Sequence, residues 1–155
     1  MRDTPLDHQA EALHEALVEL ARAYQFRDRD TICCHDVSVT QCYALDVLVR
    51  EGPRTLNQLA GGLHLDKSTA SLVVKTLERK GYVARTPHPS DGRSILIAPT
   101  AAGRKLFERI KASLVAERRT MIKDFPPAVR EGAIELVRRL ASAVCTRSTP
   151  ARRAA

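Results

Sequence analysis

A chain of 155 residues is of single-domain length, long enough for one sizeable core and too short for two ordinary ones. Its formal charge of +7 suits a polyanionic partner, and no run of about 18 apolar residues is present to span a membrane. Four cysteines, two of them adjacent, do not make the framework of a small secreted disulfide scaffold, and the acidic, polar start (Asp3, Asp7, Glu11) is unlike a signal peptide, so a cytoplasmic location is expected.

Met1 to Pro5 read as a frayed arm. From Leu6 to Phe26, the apolar positions Leu13, Ala16, Leu17, Leu20, Ala21 and Tyr24 mark a long amphipathic helix free of Gly and Pro. Asp28 to Val37 reads as a polar connector bearing Cys33, Cys34 and His35. Ser38 or Thr40 can cap a second helix in which Cys42, Leu45, Leu48 and Val49 share a face, closed by Glu51-Gly52-Pro53-Arg54. Thr55 then caps a short apolar-periodic segment (Leu56, Leu59, Ala60, Leu63) that runs through Gly61-Gly62.

Asp66 stands where the N-cap of the next helix belongs, its carboxylate able to accept the free amide of Ser68 or Thr69. Ala70, Val73, Val74 and Leu77 follow at i, i+3, i+4 and i+7, one inward stripe. The opposite face carries Lys67, Ser68, Thr69, Ser71, Lys75, Thr76 and Arg79, and Gly81 ends the helix. Two helices across a short turn, the second small, polar and basic outside, make a helix-turn-helix. Tyr82 to Thr86 and Ser94 to Ala98 are β-prone runs around a tip containing Asp91-Gly92-Arg93, which reads as a hairpin wing. Thr100 caps a long helix reaching about Asp124 through Leu106, Ile110, Leu114 and Met121. Pro126-Pro127 breaks it. A last helix uses Val129, Ile134, Leu136, Val137, Leu140 and Val144, and the basic tail Arg147 to Ala155 reads as disordered. The fold class expected is mainly α with a small β-hairpin wing.

Leu59-Ala60, Leu65-Asp66-Lys67-Ser68-Thr69, Leu77-Glu78-Arg79-Lys80-Gly81, Arg85, Asp91-Gly92-Arg93 and Thr100-Ala101-Ala102-Gly103, in that order and spacing, resemble the MarR family of winged-helix regulators. Pro99 departs from the leucine usual in that family. The resemblance implies a winged helix-turn-helix DNA-binding domain over residues 38–99, flanked by dimerisation helices at 6–27 and 100–146. It also implies a homodimeric transcriptional regulator, usually a repressor, on double-stranded DNA with a pseudo-palindromic operator. Half-sites about one helical turn apart would match the two-fold axis.

Ser68, Thr69, Ser71 and Lys75 are expected to approach base edges, where Ser and Thr can donate or accept. Arg79, Lys80, Arg85 and Arg93 are expected mainly on phosphates, Lys67 is expected on the same DNA-binding face, and Asp91 is expected to support the wing by pairing Arg93 or capping its turn. Regulators of the resembled family commonly respond to a small ligand, oxidation or a metal through the region holding Cys33, Cys34, His35 and Cys42. Thiolates there could hold a soft metal or metalloid, or Cys34 could condense with Cys42 or with a thiol of a second subunit. Cys42 and Cys145 also fit plain packing positions. An organic anion or aromatic ligand near Tyr24, Arg27, Cys42 and Tyr43 is the alternative inducer, implied by the resemblance alone. No cofactor is required. Catalysis finds no support: Cys34-His35 lacks a third orienting group, and Gly61-Gly62 follows no strand. A protein-protein adaptor would show apolar rather than cationic residues on the outer helix face.

Overall fold

Three helices begin with one device. Thr4, Ser38 and Thr55 each accept the backbone N–H of the residue three positions on, and Asp7, Gln41 and Gln58 reach back to accept the cap's own N–H. Each such capping box satisfies two otherwise orphaned amides, worth about 1 kcal/mol. The computed structural model describes residues 4–147. It contains α1 (Pro5–Cys33), α2 (Val39–Glu51), β1 (Arg54–Thr55), α3 (Leu56–Gly62), α4 (Lys67–Arg79), β2 (Val83–Pro87), β3 (Ile95–Pro99), α5 (Ala101–Ile122) and α6 (Pro127–Arg147). The basic tail beyond Arg147 lies outside the described residues. Two compact units are present, one ending at Leu114 and the other beginning at Val115.

In the first unit, α1 corrects two sequence readings. Pro5 is not part of an arm but the first helical residue, where its fixed φ and missing N–H cost nothing. The helix also continues through Arg27-Asp28-Arg29-Asp30-Thr31, the stretch read as connector, and ends only at Cys33. The reason is burial: Asp28 and Ile32, one turn apart, both face inward, and Ile32 is completely enclosed. The true connector is therefore short, Cys34 to Ser38, with Asp36 in the left-handed region at φ 63°.

The wing is one strand richer than the hairpin expected. β1 pairs antiparallel with β3 through Arg54↔Ile97 and Thr55↔Leu96, giving the sheet order β1-β3-β2. A two-residue strand has no periodicity to detect. The sheet closes one side of a core in which Leu45 and Leu48 of α2, Val74 and Leu77 of α4, Ile97 of β3 and Ile110 of α5 are all sealed from solvent. Each such side chain contributes about 2–3 kcal/mol. The start of α5 is fastened to the exit of α4: the Thr100 N–H donates to the Tyr82 carbonyl (3.0 Å) and its hydroxyl to the Gly81 carbonyl (2.6 Å). Thr100 Oγ1 also accepts the Gly103 N–H at 3.1 Å, so the expected cap is present. A Cβ on Gly103 would lie 2.0 Å from the Tyr82 oxygen, so only glycine fits that approach.

In the second unit, α5 closes at Ile122 and α6 opens at Pro127, as the proline pair predicts. Val129, Leu136, Val137 and Val144 of α6 are exposed, as are Leu13, Leu17 and Leu20 of α1 in the first unit. No helix among the described residues is long and apolar enough to cross a membrane.

Candidate nucleic-acid interface

The site is built on α4. Asp66 is its N-cap and accepts three hydrogen bonds: from the Thr69 N–H (2.8 Å), the Thr69 hydroxyl (2.7 Å) and the Ser68 hydroxyl. The Ser68 hydroxyl, then those from Thr69, hold its carboxyl well below the usual carboxylate range. Beyond the cap, Ala70, Val74 and Leu77 are buried and Val73 half-buried, which fixes the rotation of the helix. Gly81, at φ 76°, turns the chain out of α4: its N–H donates to the Glu78 carbonyl (2.9 Å) and that of Tyr82 to the Leu77 carbonyl (2.9 Å), a Schellman ending.

This rotation leaves Lys67, Ser68, Thr69, Lys75 and Arg79 exposed and Ser71 half-exposed. It also presents Leu72, 66% exposed, which the sequence reading passed over. Ser68, Leu72, Lys75 and Arg79 lie at i, i+4, i+7 and i+11, one outward row. A leucine there suits a thymine methyl group. The available signal was its phase, since Leu72 stands apart from the inward stripe.

The wing tip is held by Asp91, which accepts the Arg93 N–H (3.1 Å) and the Ser94 hydroxyl. The Ser94 hydroxyl first, then the Arg93 N–H, lower its pKa. Of its two expected uses, Asp91 shows turn capping. Among the described residues no hydrogen bond or ion pair engages the Arg93 guanidinium. Between wing and helices lies a shallow basin of about 290 Å³, lined by Lys67, Arg85 and Arg93 together with Thr55, Asn57 and Ser94. The fold thus gathers three of the expected cations around one concavity large enough for a phosphate. Asn57, the second residue of α3, is a polar lining residue the sequence reading did not select.

Two expected phosphate contacts have partners within the chain. Lys80 Nζ donates to the Asp36 carbonyl and to its carboxylate at 3.2 Å, so Lys80 ties the reading helix to the connector rather than extending outward. Arg85 Nε pairs with Glu78 Oε2 at 3.0 Å; both are exposed enough for a phosphate to compete. Lys67, Lys75 and Arg79 have no such partner among the described residues.

The thiols are not gathered. Cys33 and Cys34 are exposed at the end of α1, where Cys34 Sγ donates to the Asp30 carbonyl at 3.1 Å. Cys42 is buried in α2, and burial, helped by Asp46 and Asp28, pushes its thiol up to about 11. It stays protonated at neutral pH and is a poor thiolate ligand. Among the described residues no group of Cys, His, Asp or Glu is arranged to hold a metal ion. His35 is half-buried in the connector, and Cys145, assigned to packing, is exposed on α6.

Comparison with known proteins agrees with this geometry. Residues 35–94 match the MarR family. An uncharacterised HTH-type transcriptional regulator of Mycobacterium bovis is 32% identical over 112 residues, covering 70% of this chain and 76% of the relative. The chain belongs to the MarR family. A MarR family protein from Bacillus stearothermophilus superposes with a TM-score of 0.80 at 22% identity, over 89% of this chain and 96% of that one. NadR, solved in complex with 4-hydroxyphenylacetate, gives 0.73 at 20% identity, over 86% and 92%. The protein is thus a MarR-family HTH transcriptional regulator with the winged-helix fold. The departure at Pro99 is absorbed at the strand's last residue, opposite Val83, where the Thr100 N–H takes over the link to Tyr82.

Proposed function

We propose that this MarR-family protein is a homodimeric, sequence-specific repressor. Its Ser68, Thr69, Ser71 and Lys75 meet base edges, while Lys67, Arg79, Arg85 and Arg93 hold phosphates. The observation that carries this reading is the outward face of α4 beside the basin of Lys67, Arg85 and Arg93. Phosphate contacts set register and supply salt-dependent affinity, while the row on α4 supplies base contacts. The exposed leucines of α1 and the apolar face of α6 favour dimerisation through residues 6–27 and 100–146, since so much apolar surface is costly in a lone chain. Sedimentation of the protein with and without a duplex bearing its upstream region tests this. Two chains per duplex are expected; an adaptor acting without DNA would bind none.

Release from DNA is proposed to follow oxidation of Cys34, with Cys33 beside it and Cys42 structural. Cys34 is exposed and lies two residues from Asp36, the anchor of Lys80. Cys34→Ser should keep operator binding and lose release by peroxide; unchanged release would rule out Cys34 as the sensor. A soft metal held by Cys33, Cys34, Cys42 and His35 is disfavoured, because Cys42 is protonated and enclosed and no such group among the described residues is arranged to hold an ion. The complex of NadR with 4-hydroxyphenylacetate favours a second reading, an aromatic acid near Tyr24, Arg27 and Tyr43.

A further inference from the structure

Ser68 and Thr69 can each either give or take a hydrogen bond, which by itself makes them loose readers of sequence. In this structure that freedom is removed. Both hydroxyls point at the two oxygens of one carboxylate, Ser68 at Asp66 Oδ1 and Thr69 at Asp66 Oδ2, the latter at 2.7 Å. Asp66 stays ionised far below neutral pH because these same hydrogen bonds stabilise its charged form. An ionised carboxylate has no proton to give, so each hydroxyl must spend its single proton on Asp66. What remains for a ligand is lone pairs, two on each hydroxyl oxygen, with the carboxylate behind them. All three side chains are exposed at the first turn of α4.

We propose that Asp66 is a positioning residue that fixes Ser68 and Thr69 as hydrogen-bond acceptors, so that α4 selects base pairs presenting an exocyclic amino group at those two positions. This rests on the DNA-reading role of α4 and deepens it. In the major groove the donors are adenine N6 and cytosine N4, whereas guanine O6 and N7 and thymine O4 are acceptors. Two facing acceptors repel and leave a polar group unpaired, which is a stronger discriminator than a merely missing contact. Each base pair carries its amino group on one side only, so an acceptor at a fixed position reads which strand holds adenine or cytosine. Ser71, half-exposed and outside the reach of Asp66 in the hydrogen bonds formed, keeps its rotational freedom and is not subject to this restriction.

The test is selection from a pool of randomised duplexes, followed by sequencing, with the full-length protein and with Ser68→Ala, Thr69→Val and Asp66→Asn. The first two variants mark which positions of the half-site the hydroxyls read, since those positions lose their bias. With the unaltered protein, adenine or cytosine on one strand should be enriched at least about threefold over guanine or thymine at the marked positions. Asparagine keeps the helix cap but brings its own N–H donors, so a hydroxyl can turn its proton outward. Asp66→Asn should then relax the bias at the same marked positions while duplexes are still retained and the circular dichroism spectrum is unchanged. A guanine or thymine preference at those positions, or a bias that survives Asp66→Asn, overturns the proposal while leaving DNA binding intact. Failure of the unaltered protein to retain any duplex overturns the DNA reading itself, and this inference with it.

Discussion

Lys80, the C-cap residue of the reading helix, gives its ammonium to both the carbonyl and the carboxylate of Asp36, 44 positions earlier in the chain. Asp36 sits in the left-handed region and belongs to the connector that also carries Cys34 and His35. The contact therefore joins the end of α1 to the exit of α4, so a rearrangement of the connector is expected to reach the helix proposed to meet DNA. The carboxylate is largely exposed while the lysine is mostly covered, so solvent screens the pair and its strength is modest.

A double-mutant cycle measures that link. Lys80→Met and Asp36→Asn, the latter tolerated at positive φ, should each lower stability slightly, with a coupling of about 0.5 kcal/mol read from urea unfolding. Strictly additive effects would mean that the two residues do not interact in solution.

The wing cation behaves differently. Arg93→Ala should weaken binding to every duplex and reduce the magnitude of the salt slope by about one per chain, whereas Lys80→Met should leave the slope nearly unaltered. Equal changes in the two variants would contradict the assignment of Lys80 to an internal partner.

Local chemistry explains which parts of this fold the sequence discloses. Asp66 and Gly81 delimit α4 to the residue because caps act on their immediate neighbours, and Asp91-Gly92 marks the wing tip for the same reason. The last turns of α1 are invisible to such reading: Arg27 to Asp30 is as polar as a loop, and the inward placement of Asp28 and Ile32 keeps it helical. β1 is too short to carry a pattern and exists because Ile97 and Leu96 are placed beside it. Within the site, the row of cations was legible from residue type, but their pairing was not. Lys80 with Asp36 and Arg85 with Glu78 depend on tertiary placement, as does the outward direction of Leu72.

Two glycines provide a paired test of packing. Gly103→Ala would drive a methyl into the Tyr82 carbonyl, a backbone atom that cannot swing aside, and should cost more than about 3 kcal/mol or prevent folding. Gly61→Ala, in α3 with open space around the added carbon, should be neutral or stabilising by up to about 1 kcal/mol. Comparable melting temperatures for both variants would refute the close approach at Gly103.

The buried thiol makes a prediction in pH. With the Cys42 pKa raised to about 11 in the folded chain and near 9.0 when exposed, the unfolded chain loses this proton first. Cys42 therefore imposes no penalty below pH 9, and stability falls as pH rises from there toward 11. Cys42→Ala should flatten that alkaline decline. Iodoacetamide at pH 8 should modify Cys33 and Cys34 within minutes to hours and leave Cys42 untouched until urea is added, as read by peptide mass spectrometry; early labelling of Cys42 would contradict its burial.

The proposed reading is that α4 and the wing engage duplex DNA through Lys67, Lys75, Arg79 and Arg93, whose charged groups have no partner among the described residues. Its most direct test is fluorescence anisotropy of a labelled duplex from the protein's own upstream region, titrated at several salt concentrations between roughly 50 and 200 mM. Tight binding at low salt is predicted, with log K falling linearly against log salt at a slope on the order of −4 to −7 for a dimer. Absence of binding at the lowest salt, or an affinity indifferent to salt, would contradict it.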